Sequence, residues 1–108
     1  MTGRERGEIV WHPAVFADYE RPFLVVSTDA HPFHGEEYVA LAISTTDVAS
    51  AIQIEQVDWA IGALPKESYV KPWNPVILKE TDIATTAGAL YQDVVDRAVD
   101  HLAETCGR

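Results

Sequence analysis

Arg21 and Ser44 are the residues whose types and setting suggest chemistry. Arg21 opens RPFLVVST (21–28) and Ser44 closes YVALAIS (38–44), so each polar group stands at one end of an apolar run, 23 positions from the other. A guanidinium stays charged at any working pH and presents paired donors that match phosphate oxygens. The hydroxyl of Ser44, or of its neighbour Thr45, can donate a further hydrogen bond to such an oxygen but cannot act as a base near pH 7. Proton transfer falls to the segment before Arg21, which offers His12, Asp18 and Glu20. Imidazole is the side chain whose ordinary pKa lies nearest neutrality. Glu20, adjacent to Arg21, points to the opposite side of an extended segment. His12 and Glu20 stand level as candidates, ahead of Asp18. Plainer roles exist for the same residues: Arg21 as an edge-strand charge paired with Glu20 or Asp18, and Ser44–Asp47 as a Ser/Thr or Asx turn.

The elements that must position these groups are strands first and a helix last. GEIVWHP (7–13) reads as a short strand ended by Pro13, and AVFADYE (14–20) as a loop. The segment 22–28 is near-continuously apolar and reads as a central strand, 29–37 as a loop broken by Pro32 and Gly35, and 38–44 as a third strand. SAIQIEQV (50–57) alternates as a half-exposed antiparallel strand does. Gly62 and Pro65 mark a turn, and YVKPW and PVILKE read as short strands or edges interrupted by Pro72 and Pro75. From Leu90 to Ala103 the period becomes helical: Val94, Val95, Ala98, Val99 and Leu102 share one face. Thr85 or Thr86 offers a cap and Gly107 a stop. The pattern predicts a mainly β domain with a C-terminal α-helix, a small curled antiparallel barrel. One domain is expected over residues 1–108, strand-rich over 7–80, with the helix at about 90–104.

Composition narrows the classes. Seventeen acidic against eight basic residues give a formal net charge of −9, with the acids scattered along the chain. Such a surface repels nucleic acid and anionic membranes in dilute buffer, and it suits a salt-rich, halophilic cytoplasm. No apolar run is long enough to span a membrane and no secretory signal is visible, so a cytoplasmic location is expected. A single cysteine, Cys106, excludes a disulfide framework. His31 and His34 lie three apart in a Pro- and Gly-containing loop without a third ligand, a weak metal signal. Trp59, Trp73 and Tyr69 have the faces to stack on bases, although aromatics in a small barrel are more often core or dimer contacts.

Gly7-Glu8-Ile9-Val10-Trp11, then Arg21-Pro22 with its apolar strand, then Ala42-Ile43-Ser44, resemble in order and spacing the MazF/PemK-like (CcdB/Kid-type) toxin endoribonucleases. GALPKESYVKPWNPVILKETDI resembles that family's later Gly-Leu-x-x-x-Ser-x-Val segment, so the likeness covers roughly residues 7–104. It implies an SH3-like barrel with an added helix, a homodimer, and metal-independent cleavage of single-stranded RNA with no cofactor. It also implies an antitoxin protein as partner. Arg21 and Ser44 stand where the family's cleavage residues stand, with Thr45 as understudy to Ser44. Where the family has an Asp-Gln-x-Arg-like element, this chain reads Lys71-Pro72-Trp73-Asn74-Pro75, leaving Lys71 and Trp73 as the expected RNA contacts. Without a metal, the substrate's own 2′-hydroxyl attacks the phosphorus. Arg21 then stabilises the phosphorane, Ser44 assists, and His12 or Glu20 moves the proton. The rival expectation is a non-catalytic SH3-like module that binds a protein tail in the same groove, which the acidic surface and the Lys71–Pro75 replacement suit.

Overall fold

The structure is a computed structural model, and it describes residues 3–14 and 18–107. Residues 15–17 of the expected 14–20 loop lie outside that range. Seven strands form one antiparallel sheet: β1 (Glu8–Pro13), β2 (Glu20–Val25), β3 (Glu37–Ser44), β4 (Ile52–Ile54), β5 (Trp59–Gly62), β6 (Ser68–Lys79) and β7 (Thr85–Leu90). A single helix, α1 (Gln92–Thr105), follows. The sheet order is β4-β6-β3-β2-β1-β7-β5, so β2 is the central strand, as its apolar run predicts.

The connection between the two edge strands forces the sheet to curl. β4 and β5 lie at opposite edges, yet only residues 55–58 separate them. Seven strands at about 4.8 Å spacing would set the edges of a flat sheet roughly 29 Å apart. The connection spans at most about 17 Å. The edges therefore approach one another and the sheet becomes a nearly closed barrel. A one-turn 3₁₀ helix, Gln56–Asp58, makes the link. It is fixed by the Glu55 N–H donating to the Asp58 carboxylate at 2.8 Å and by the Tyr91 N–H donating to the Asp58 carbonyl at 2.9 Å.

The sheet buries both faces over its middle. Ile9, Leu24, Leu41 and Val70 pack with Val94, Val95 and Ala98 of α1. Val10, Phe23, Val25, Tyr38 and Leu78 form a second cluster. Phe23, Leu24 and Val25 are all buried, which explains the continuous apolar run in β2. Burying a valine such as Val94 or Val95 stabilises by roughly 1.5–3 kcal/mol, so the helix is held mainly by its apolar face. Tyr91 is its N-cap without a side-chain cap bond. In place of a cap, the N-terminal segment clasps the first turns: Arg6 reaches the Gln92 side chain and, at 2.8 Å, Asp96, while Gln92 donates to the Arg6 carbonyl at 2.8 Å.

Several expected boundaries are corrected. Residues 85–90 are strand β7 and do not cap the helix with Thr85 or Thr86; the strand-rich region runs to Leu90, and the helix is 92–105 instead of 90–104. β5 ends inside the segment expected to turn at Gly62 and Pro65. It pairs with β7 through Gly62 against Gly88, where a Cβ on either residue would fall 2.2 Å from the partner strand's backbone. The expected strand at 50–57 is the shorter β4, with Ile52 and Ile54 buried around an exposed Gln53. The two proline-interrupted strands are one, β6. Its pairing with β3 jumps from Leu41–Pro75 to Ala42–Lys71, so Pro72, Trp73 and Asn74 form a bulge.

One polar network joins the chain's beginning to its end. Arg4 forks onto both Glu80 oxygens, at 3.2 and 3.0 Å, and reaches the Thr86 hydroxyl at 2.6 Å. The fully buried Tyr38 donates its hydroxyl to Glu80 at 2.7 Å. The Arg4 guanidinium holds the Glu80 carboxyl below its ordinary value of 4.5. A lowered carboxylate pKa contributes stability above the ordinary value that is lost as pH falls through the folded one. Glu80→Gln is therefore expected to cost about 1–2 kcal/mol at pH 7, a figure reduced for partial exposure. Urea unfolding should show that gap closing as pH drops below 4.5; a gap that stays constant with pH would refute the assignment.

Candidate functional site

The ends of β2 and β3 meet. β1 and β2 pair His12 with Arg21, and β2 pairs with β3 through Phe23 opposite Ala42. That ladder ends at Phe23 and Ala42, two residues short of Arg21 and Ser44, and Ser44 pairs on its other side with Tyr69 of β6. His12 and Arg21 thus face one another across one strand pair and Ser44 and Tyr69 across another, with Arg21 and Ser44 meeting at one cavity of the barrel's rim. Directly opposed residues in antiparallel strands share a sheet face. Glu20, beside Arg21 and opposite Pro13, belongs to the other face.

A cavity of about 270 Å³ opens at this rim. Arg21 and Pro22 from β2, Ile43, Ser44 and Thr45 from the end of β3, and Trp11 from β1 line it. The β5–β6 loop covers it with Leu64, Pro65 and Lys66, and Ser68 opens β6 on its wall. The lining holds two cations, three hydroxyls and no carboxylate, in a chain with seventeen acidic residues. Four other clefts each carry at least one: Glu67; Glu5 and Asp29; Glu36, Glu37 and Glu80; Glu8.

Arg21 is not neutralised. Among the described residues no carboxylate lies within ion-pair distance of it, whereas Arg4, Arg6 and Lys79 are all paired with acids. Its partner is Tyr19: the guanidinium carbon stands 5.7 Å from the ring centre and one nitrogen is 3.4 Å from the phenolic oxygen. An aromatic face steadies a guanidinium while leaving its charge available. The plain pairing with Glu20 or Asp18 is therefore absent among the described residues.

Ser44 makes the expected Ser/Thr turn and also stands on the cavity wall. Its hydroxyl oxygen accepts the Thr46 N–H at 3.0 Å, which is the Ser/Thr turn. The residue is buried on the cavity wall, and that bond uses the oxygen as acceptor, leaving the hydroxyl hydrogen to donate. His12 places Nδ1 at 2.9 Å from the Pro13 carbonyl, which can only accept, so Nδ1 carries the hydrogen and the neutral ring keeps its lone pair on Nε2. That Nε2 is buried without a partner among the described residues, and the ring meets Phe23 edge-on at 6.0 Å. Neither His12 nor Glu20 lines the cavity.

The remaining expected residues lie elsewhere. Lys71 is opposite Ala42 on β6, and Trp73 is in the neighbouring bulge; neither is in the cavity lining. Trp59 packs against the core and Tyr69 is buried, with its hydroxyl 3.1 Å from Glu67. His31 accepts the Phe33 N–H at 2.9 Å and His34 packs edge-on against Tyr38. Lys66 and Trp11 are cavity residues that the sequence reading did not single out. Lys66 sat within a segment read only as a turn, and Trp11 within a strand motif.

No family model and no curated protein matches the chain. Solved structures do match it in fold over nearly their whole length. A mycobacterial endoribonuclease in complex with its cognate antitoxin is 20% identical, with a TM-score of 0.77 over 99% of this chain and 96% of that one. A second mycobacterial endoribonuclease is 22% identical, with a TM-score of 0.75 over 99% and 94%. The MazE-MazF complex from Deinococcus radiodurans is 17% identical, with a TM-score of 0.74 over 99% and 98%.

The turn bond at Ser44 has a measurable consequence. Ser44→Ala leaves the Thr46 N–H without its partly buried acceptor and is expected to lower stability by about 1 kcal/mol in urea unfolding. Unchanged stability would show that water replaces the hydroxyl there.

Proposed function

We propose that this chain is an endoribonuclease that cuts single-stranded RNA without a metal, the toxin of a toxin–antitoxin pair. The observation that carries the reading is the carboxylate-free cavity at the strand ends, where an unpaired Arg21 and the Ser44 and Thr45 hydroxyls converge. The fold shared with endoribonuclease structures supports it. The antitoxin partner and the homodimer are proposed on the same likeness, since similar chains occur in complexes with an antitoxin. The proposed setting is the cytoplasm; no described helix is long and apolar enough to cross a membrane.

In this mechanism the scissile phosphate occupies the cavity. The RNA's 2′-oxygen bonds to phosphorus as its proton leaves, the 5′-oxygen departs with a proton, and a cyclic phosphate remains. Arg21 donates to the non-bridging oxygens as charge builds on them, and Ser44 adds one donor, with Thr45 beside it. Proton transfer falls to His12 rather than Glu20 or Asp18, because His12 shares the sheet face of Arg21 and keeps its lone pair on Nε2. Lys71 and Trp73, outside the cavity, are proposed as contacts to RNA beyond the cleaved linkage.

A second reading is favoured by one observation: neither candidate base lines the cavity. On that reading the same cations hold a carboxylate of a protein tail, and no bond is cut.

Cleavage of a long unstructured RNA in the presence of EDTA separates the two. Arg21→Ala is expected to lose about 10²–10³ in rate. His12→Ala is expected to lose about 10²–10⁴, and Glu20→Gln little. All three variants should unfold like the wild type. Full cleavage by Arg21→Ala would overturn the site, and no cleavage by folded wild-type protein would favour the binding module.

A further inference from the structure

We propose that Lys66 is a second phosphate-contacting residue of this cavity and acts beside Arg21; the proposal rests on the ribonuclease reading for its substrate. Three observations converge on it. Lys66 lines the 270 Å³ cavity together with Arg21, and with Leu64, Pro65 and Ser68 it also lines an adjoining cleft of about 600 Å³. It stands on the ridge that a chain leaving the Arg21 cavity would cross.

Its backbone is anchored at that ridge. The Ser68 hydroxyl, itself buried, donates to the Lys66 carbonyl at 2.8 Å. Pro65, whose φ is fixed by its ring, precedes it. The Cα is thus held at the cavity wall and only the side chain is free to swing.

Its charge is also unspent. Lys79 is 2.7 Å from Glu37, but among the described residues no carboxylate lies within ion-pair distance of Lys66, although Glu67 is next in sequence. The Glu67 carboxylate is taken up by the Tyr69 hydroxyl at 3.1 Å. An ammonium with a flexible stem and three donors suits a polyanion whose next phosphate varies in position, whereas the planar guanidinium suits the fixed one. The apolar part of the lining, Trp11, Pro22, Leu64 and Pro65, offers a surface for one nucleoside beside the two cations.

The test uses a labelled single-stranded 2′-O-methyl oligonucleotide, which binds but lacks the attacking hydroxyl, titrated across KCl concentrations. Each phosphate contact to a single strand contributes about 0.7 to the slope of log K against log salt. Lys66→Gln is expected to flatten the slope by about 0.7, which over one decade of salt amounts to about a fivefold difference. Lys66→Arg should restore it, and Lys79→Gln, at the opposite end of β6, should leave it unchanged. Any slope change shared by Lys66→Gln and Lys79→Gln, or none in either, overturns the role of Lys66. Failure of the wild type to bind the oligonucleotide overturns it as well. RNA cleavage by the wild type is measured in parallel: its absence alone defeats the ribonuclease reading, and its presence with an unaltered Lys66→Gln slope defeats only the Lys66 contact.

Discussion

An unpaired charge cannot be buried, and the central strand of this barrel is buried on both faces. That constraint organises the molecule. Phe23, Leu24 and Val25 are enclosed by two separate apolar clusters, so β2 can neither slip by a residue nor shift along its neighbours without exchanging well-packed side chains. Arg21 precedes the run and must emerge at the rim, where its guanidinium stays solvated and rests on Tyr19. The same packing sets His12 opposite Arg21 on one neighbouring strand and brings the end of the other, with Ser44, to the cavity that Arg21 lines. The core therefore fixes the site: apolar packing decides which polar groups meet.

Curling completes it. Because the edge strands β4 and β5 are consecutive in the chain, the β5–β6 loop is carried round to the strand ends of β2 and β3, and it roofs the cavity with Leu64, Pro65 and Lys66. Gly62 against Gly88 lets β5 approach β7 closely enough for this geometry. The Arg4–Glu80–Tyr38 network lies at the far end of β6 and holds the barrel without drawing cations from the rim.

Much of this was legible in the sequence, for physical reasons that differ by element. β3 was read to within one residue, and the core of β2 was read although the strand is 20–25 and not 22–28, because continuous burial leaves continuous apolar runs. Helix α1 was legible from its 3.6-residue period. β7 was not, since Thr85-Thr86-Ala87-Gly88 carries neither alternation nor bulk; its pairing is dictated by a glycine contact visible only in three dimensions. β6 was split at its prolines because a bulge can absorb them, and a bulge leaves no local signature. Arg21 and Ser44 were legible as strand-end polar groups. Lys66 was not, because its position depends on how the sheet closes and not on any spacing within its own loop.

The acidic surface and the sparse cavity are two sides of one electrostatic arrangement. A net charge of −9 repels a polyanion at a distance, but that repulsion acts through solvent and fades within about 8 Å at physiological ionic strength and about 3 Å at 1 M. Contacts made at hydrogen-bond distance inside such a cavity would escape much of this screening. Salt still weakens them through counterion release, in proportion to their number. Two phosphate contacts would cost roughly 25-fold in affinity per decade of salt, whereas eight would cost more than 10⁵-fold. Recognition concentrated in Arg21 and Lys66, as proposed, would therefore keep more of its grip as salt rises than a broad basic groove would. The scarcity of cations, which at first argues against an anionic ligand, is what a salt-tolerant site for one requires.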